Sequence, residues 1–239
     1  MAAEESPQGR ELREEELQSA SGVVWPPTSG DDVRVMWAEQ SLWPTGASLP
    51  SIFQPRNGPC GLLASVSAMA CAAVLCSQQE DAVLKAWLLR PTDAQKTSAY
   101  VTAIANALVR AQCAEGEPLA LRAPAELRVA GLKGGDEKVN VRVVVPVDAG
   151  LGMYATFSRE SMMVLECKTP AQVEQALLRH ADSFLREGGL LLLLYSLCLT
   201  ANPAQLQQDL QYGTLIADEY GFCTQGLVNL VLSGEAVSA

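Results

Sequence analysis

The sequence of 239 residues is poor in the side chains that most often mark catalysis or nucleic-acid binding. It contains 1 histidine, its aromatic content is 5%, and its 17 lysines and arginines stand against 27 aspartates and glutamates, for a net charge of -10. Nucleic acids and anionic membranes are bound by clustered basic side chains, and no such cluster is present. We therefore expect neither nucleic acid nor membrane among the partners.

Long apolar runs and metal-type cysteine pairs are also missing. The most apolar stretch, residues 190 to 199, falls well short of the ~20 residues that cross a bilayer, so we expect it to be buried in the core. The cysteines are odd in number, show no CxxC spacing and follow no secretory leader. This usage favours a reduced compartment, and we expect a cytoplasmic location, with the nucleus as an alternative.

An apolar content of 49% is enough to build one sizeable core. Residues 1 to 22 are rich in glutamate, glutamine and serine, so we expect a disordered acidic tail. Residues 23 to 239 are then one domain. Within it, the prolines and tryptophans of residues 23 to 43 indicate short strands and loops.

Apolar residues recur every three or four positions after the Asn57-Gly58-Pro59 turn, which predicts a helix that begins at Cys60. The same spacing predicts helices over Asp81 to Leu89 and Ser98 to Gln112, and a later one in which His180 lies mid-helix. The leucine run from residue 190 fits either a strand or a buried helix by its length, and we expect a helix. Thr224 to Leu232 is a further predicted helix, with Thr224 as N-cap and Gly234 as the stop. Strand patterns are found at Leu127 to Ala130, Val139 to Val147, Met153 to Phe157 and Met162 to Cys167.

Cys60 is the cysteine best placed for chemistry. A thiol attacks carbonyl carbon as the thiolate, and the unpaired N–H groups and dipole of a helix N-terminus favour that anion. We expect Gly61 to keep space open beside the sulfur for a substrate backbone. An oxyanion also needs donors, and the candidates are the Cys60 N–H and the side-chain amide of Gln54, six residues upstream. Taken alone, such a cysteine is more often an inert core residue.

The local sequence adds a family resemblance. Residues 54 to 60 read Gln-Pro-Arg-Asn-Gly-Pro-Cys and continue Gly-Leu-Leu-Ala-Ser-Val. This resembles the Gln-x-x-x-Gly-Pro-Cys-x-Leu-Leu-Ala signature of the MINDY deubiquitinases, in which the motif supplies the oxyanion glutamine and the nucleophile. The resemblance implies these roles for Gln54 and Cys60.

A second block, near the end of the chain, is similar to the branch of that family with Gly-Pro-Cys-Gly, the MINDY-3/MINDY-4 type. The matching pieces are Gly188 to Leu199, Leu215-Ile216, Gly221 to Gln225 and Leu227 to Ser238. The resemblance implies an α+β, papain-like cysteine protease fold with the nucleophile helix packed on a β-sheet. It also implies hydrolysis of isopeptide bonds at the C-terminus of ubiquitin, in lysine-48-linked polyubiquitin, by a monomer without cofactor or metal.

The histidine of such enzymes has no counterpart here. The family places it in a Ser-x-His-aromatic-Ser strand after the last matched block, and His180 lies in an unrelated context, for which we expect a packing or partly exposed role. We therefore expect the domain to be incomplete at its C-terminus, with the last strands missing. Two other functions stay open: a non-catalytic ubiquitin-binding scaffold, and a papain-like peptidase that acts on ordinary peptides.

Overall fold

The computed structural model describes residues 6–77, 79–112, 138–148, 159–217 and 220–237. The strands are β1 (Gln8–Glu11), β2 (Val141–Pro146) and β3 (Met162–Cys167). The helices are α1 (Glu14–Val24), α2 (Asp31–Ala38), α3 (Cys60–Leu75), α4 (Asp81–Leu89), α5 (Asp93–Gln112), α6 (Pro170–Arg179), α7 (Ala181–Leu185), α8 (Gly189–Ala201), α9 (Pro203–Asp209) and α10 (Gln225–Ser233). This mixture of helices and a small antiparallel sheet confirms the α+β class.

The sheet has the order β1-β3-β2, and both pairings are antiparallel, with Gly9 opposite Leu165 and Val144 opposite Val164. Its β2 edge is covered by α8. The Val144 N–H donates to Ser196 Oγ at 2.8 Å and the Arg142 N–H to Thr200 Oγ1 at 3.0 Å. Because an exposed edge leaves backbone donors unpaired, these two hydroxyls on the helix complete the hydrogen bonding of the strand.

The leucine run forms α8, as predicted, and it is buried throughout from Gly189 to Leu199. Gly188 precedes it with φ 85°, a left-handed conformation that favours glycine. Tyr195 accepts a hydrogen bond from Trp25 Nε1 at 3.2 Å, so its buried hydroxyl has a partner. Among the described residues no single helix is long and apolar enough to cross a membrane. Helices α8 and α9, which are bent by 89° relative to each other, reach the length and apolar composition of a membrane span only when taken together.

Helix α5 is the centre of the molecule. Its residues are buried on nearly every face from Ser98 to Val109, so the helix needs cover on all sides. One side packs on α3 and α10, and the other on α6, α8 and β2. Among the described elements, α3 has no extensive contact with the sheet, in contrast to the expected packing of the Cys60 helix on it, because α5 packs between α3 and the layer formed by α8 and the described strands.

Several predicted elements are confirmed with nearly the predicted bounds: α3, α4, α10 and the strands β2 and β3. The predicted helix from Ser98 to Gln112 is also confirmed, but α5 begins earlier, at Asp93. Thr224 caps α10 by accepting from the Leu227 N–H at 3.3 Å, and Gly234 ends the helix with φ 90°. The strands predicted at Leu127 to Ala130 and Met153 to Phe157 lie outside the described residues.

The amino-terminal segment differs from its expectation. Residues 6 to 22 contain β1 and most of α1, rather than a disordered tail, and α2 replaces the loops expected within residues 23 to 43. β1 is held by backbone pairing with β3, which needs no apolar side chains. α1 adds the buried Ala20, Val23 and Val24 to the core. Composition missed both because neither depends on large apolar residues.

Glu16 anchors this segment through two arginines. Its carboxylate accepts from Arg10 at 2.7 Å and from Arg13 at 2.8 Å, and Arg10 also reaches Glu166 at 3.0 Å. Burial alone would raise the pKa of Glu16, but the hydrogen bonds from Arg10 and Arg13 outweigh burial and hold that pKa well below its ordinary value. The ionised carboxylate therefore stabilises the fold at neutral pH.

We expect Glu16→Gln to lower the free energy of unfolding by about 1 to 3 kcal/mol at pH 7. Because the pKa of Glu16 is depressed in the folded state, the stabilisation is present above about pH 4.5 and is lost as pH falls further. Urea titrations at pH 7 and pH 3 measure this, with exposed Glu15→Gln as the matched control. Equal losses for the two variants would contradict it.

Candidate active site

Cys60 is the first residue of α3 and its side chain is exposed, as the sequence predicts. The preceding turn contains Gly58 at φ 128°, a conformation that favours glycine, and Pro59 at the N-cap, whose carbonyl accepts from Leu63. The sulfur of Cys60 lies 3.9 Å from the Gly58 carbonyl oxygen. A thiol at this position faces the positive end of the helix dipole.

A second segment, residues 221 to 223, packs against this turn. The Cys223 N–H donates to the Gly58 carbonyl at 3.1 Å, and the Leu62 N–H of α3 donates to the Cys223 sulfur at 3.3 Å. The Gly221 carbonyl accepts from Trp37 Nε1 at 2.9 Å, which ties the segment to α2. Sequence reasoning missed Cys223; its one available signal was its place directly before the N-cap of a predicted helix.

Gly61 does not leave open space beside the sulfur, so that expectation is wrong. A Cβ placed there would lie 2.9 Å from Val228 Cγ2 and 3.0 Å from Cys223 Cβ. The missing side chain instead lets α10 and the segment before it approach α3 closely.

We expect Gly61→Ala to destabilise the fold by about 1 to 3 kcal/mol through overpacking, measured by thermal unfolding. Gly22→Ala, where a Cβ meets nothing within 4 Å, is the control, and equal stability of the two variants would contradict the close approach.

Gln54 lies on the approach to the turn, two residues after Ile52, which forms an isolated antiparallel bridge with Pro44. Its side-chain amide donates to the Arg56 carbonyl at 2.6 Å, and Gln40 Nε2 holds the neighbouring Phe53 carbonyl at 2.9 Å. The amide is therefore engaged within its own loop. Its role as an oxyanion donor stays a prediction, and it requires the side chain to leave Arg56.

His180 lies at the junction of α6 and α7, where the backbone leaves the helical conformation, so the mid-helix prediction is wrong. Its imidazole is half-buried, in agreement with a packing or partly exposed role, and burial and Arg179 lower its pKa. α6 packs on α5 and the sheet, and α7 on α8, whereas α3 packs on α5, α10 and α4. The one histidine of the chain is thus on elements that have no extensive contact with the Cys60 helix.

The remaining described cysteines divide by burial. Burial raises the pKa of Cys167 to about 12 and also raises the pKa of Cys198 and Cys71, so these thiols stay protonated and behave as small hydrophobes. Cys76 is exposed at the opposite end of α3. Cys113 lies outside the described residues. Cys60 is the cysteine that combines exposure with a helix N-terminus.

The polar residues of α10 satisfy each other. Gln225 Nε2 donates to Asn229 Oδ1 at 2.8 Å, and Asn229 Nδ2 donates to the Val237 carbonyl at 2.6 Å. Asn229 therefore ties Val237 to α10, and Gln225 binds the amide of Asn229. The described residues contain no group of three or more histidine, cysteine, aspartate or glutamate side chains that could hold a metal ion.

Comparison with known proteins identifies the family of the chain. The family profile described as "Deubiquitinating enzyme MINDY-3/4, conserved domain" matches residues 37–239. The chain belongs to the MINDY-3/4 family. The match includes the Cys60 turn, Gln54 and the segment that carries Cys223, so the residues packed together here all lie within the MINDY-3/4 domain.

Curated MINDY proteins share 28% to 36% identity with parts of the chain. The chain is similar to "Probable ubiquitin carboxyl-terminal hydrolase MINDY-4" of Xenopus tropicalis, with 29% identity over 194 residues, covering 77% of this chain and 22% of that protein. The MINDY-4 protein of Homo sapiens shares 28% over 209 residues, covering 84% and 25%. "Ubiquitin carboxyl-terminal hydrolase MINDY-3" of Danio rerio shares 36% over 73 residues, covering 30% and 16%.

The chain thus spans a quarter or less of the length of these curated relatives. No solved structure matches it. The papain-like topology implied by the resemblance therefore stays a prediction, while the α+β class and the MINDY-3/4 family are established.

Proposed function

We propose that this domain is a thiol hydrolase that acts at the C-terminus of ubiquitin, with Cys60 as the nucleophile. The observation that carries the proposal is the exposed Cys60 side chain on the first residue of α3, inside a domain whose relatives are named ubiquitin carboxyl-terminal hydrolases. No other described cysteine combines those two features. The proposal concerns this domain alone, because the curated relatives are several times longer than the chain.

The proposed reaction uses Cys60 in two steps. The thiolate attacks the carbonyl carbon of the isopeptide bond, and the negative charge moves to the carbonyl oxygen, which accepts from the Cys60 N–H and the Gln54 amide. Collapse of this intermediate forms a thioester and releases the lysine amine, which takes up a proton. Water then hydrolyses the thioester. Neither metal nor organic cofactor takes part in the proposed steps.

The Cys60 N–H is suited to the oxyanion. Among the hydrogen bonds of the described residues none uses it, while the Leu62 and Leu63 N–H groups of the same turn are taken by Cys223 and Pro59. The first N–H groups of a helix have no partner within the helix, so the Cys60 N–H is available to a substrate oxygen. The acid–base group that the reaction needs is not assigned to His180, because α6 and α7 pack elsewhere.

The ubiquitin linkage, the oligomeric state and the location that we propose follow the sequence expectations. We propose lysine-48-linked polyubiquitin as the substrate, and a cytoplasmic monomer as the acting form, with the nucleus as an alternative location. The net charge of -10 is compatible with a basic partner surface, and such complementarity affects the association rate more than the affinity.

A non-catalytic ubiquitin-binding scaffold is the second candidate, and the position of the one histidine favours it. Incubating the chain with ubiquitin that carries an electrophile at its C-terminus separates the two functions. We expect a covalent adduct. Reversible binding without an adduct would instead establish the scaffold, and cleavage of short unrelated peptides with indifference to ubiquitin would establish an ordinary peptidase.

An exposed aromatic pair lies next to this site in the sequence and in the fold. The rings of Tyr220 and Phe222 are 5.9 Å apart, with 70% and 41% of the residues exposed, and Phe222 directly precedes Cys223. Aromatic side chains at a protein surface are frequent anchors of binding energy. We propose that this pair contacts ubiquitin.

We expect the double substitution Tyr220→Ser and Phe222→Ser to weaken ubiquitin binding by roughly tenfold, because two aromatic contacts are lost. Titration calorimetry with ubiquitin measures the change. Tyr212→Ser is the matched control, since Tyr212 is 85% exposed and lies in the turn after α9. An unchanged dissociation constant for the double variant would remove the pair from the interface.

A further inference from the structure

The N-terminus of α3 lacks the side chain that usually caps a helix. Its N-cap residue is Pro59, which makes no side-chain hydrogen bond. In most helices the N-cap side chain accepts from the N–H of the second or third helical residue, here Gly61 or Leu62. Without that acceptor, the turn that carries Cys60 would have free donors and would fray.

The sulfur of Cys223 occupies the place of the missing acceptor. It accepts from the Leu62 N–H at 3.3 Å. The Cys223 backbone N–H holds the Gly58 carbonyl at 3.1 Å, on the other side of the same turn. Its Cβ would be 3.0 Å from a Cβ at Gly61, so the side chain also fills the space over the first turn. One residue thus fixes the turn at three points.

We propose that Cys223 is a positioning residue that caps the nucleophile helix from a remote part of the chain, which sets the orientation of Cys60 and leaves the Cys60 N–H for the substrate. The inference rests on the proposed function of Cys60, but the capping contact can be tested without it. Burial, against the hydrogen bond from Leu62, raises the pKa of the Cys223 thiol to about 11, so Cys223 itself is protonated at neutral pH and is not a second nucleophile.

The test compares Cys223→Ala, which removes the acceptor, with Cys223→Ser, which keeps an acceptor of similar size. Iodoacetamide is the probe, and mass spectrometry gives the alkylation rate of Cys60 relative to Cys76, which is exposed at the other end of the same helix. Cys71→Ala removes a half-buried thiol from the middle of that helix and is the matched control.

We expect Cys223→Ala to reduce the Cys60 to Cys76 rate ratio at pH 7 by roughly fivefold, the loss expected for one helix cap. Cys223→Ser should restore the ratio to within about twofold of the wild-type value, and Cys71→Ala should leave it unchanged. A wild-type ratio in Cys223→Ala, or a serine variant no better than alanine, would overturn the proposal.

Hydrogen exchange gives a readout that does not depend on Cys60 chemistry. The Leu62 amide should be protected in the wild type, should exchange faster in Cys223→Ala and should be protected again in Cys223→Ser. Unchanged exchange in the alanine variant would overturn the capping role even if that variant lost stability. If the electrophilic ubiquitin failed to capture the wild type while the exchange pattern held, the proposed function would fail and the cap would stand.

Discussion

Cys60→Ala is expected to abolish covalent capture by ubiquitin with an electrophilic C-terminus, while the dissociation constant for ubiquitin changes by less than about threefold. The capture rate should fall to background, because the exposed sulfur of Cys60 at the start of α3 is the proposed nucleophile. Binding should persist because truncating a small side chain leaves the surrounding surface intact. Gel-shift kinetics and titration calorimetry measure the two quantities.

The matched control is Cys76→Ala, at the C-terminal end of the same helix and also exposed. This variant should be captured at the wild-type rate, since the helix dipole there disfavours an anion. Capture retained by Cys60→Ala, or lost in Cys76→Ala, would transfer the chemistry to another cysteine.

Gln54→Ala is expected to slow capture by roughly 100- to 1,000-fold, the usual loss when one oxyanion donor is removed. The Gln54 amide donates to the Arg56 carbonyl in this structure, so substrate must draw it away from that partner. Breaking the hydrogen bond between Gln54 and Arg56 costs little free energy, because this bond is exposed and water can replace it. The affinity for ubiquitin should change little, since the donor acts on the charge that develops in the transition state.

Gln54→Glu is the sharper companion variant. It keeps the shape of the side chain but replaces the donor by an anion, so it should be at least as slow as the alanine variant. A capture rate near that of the wild type in both variants would exclude Gln54 from the site. The Cys60 N–H would then be the one oxyanion donor left in the proposal.

Sequence patterns were most informative where structure depends on near neighbours. The helix from Cys60 follows from apolar spacing after a glycine-proline turn, and α10 follows from Thr224 as its cap and Gly234 as its stop. Both features are local, because the backbone hydrogen bonds within these helices and the Thr224 cap join residues only a few positions apart. Their bounds in the structure agree closely with the pattern.

Contacts between distant parts of the chain were not predictable in the same way. Leu62 and Cys223 are 161 residues apart, and no spacing rule joins them. The sequence around Gly61 predicts open space, whereas Val228 of α10 approaches it closely in the fold. The β1 strand escaped notice since its pairing with β3 uses backbone groups. The candidate nucleophile could therefore be predicted from sequence, but the residues that hold it could not.

Mapping the adduct formed by electrophilic ubiquitin on the full chain tests the central claim most directly. After digestion, mass spectrometry should place the modification on Cys60, with Cys76 and Cys223 unmodified in the same sample. An adduct on any cysteine other than Cys60, or no adduct at concentrations at which ubiquitin binds, would contradict the assignment of Cys60 as the nucleophile.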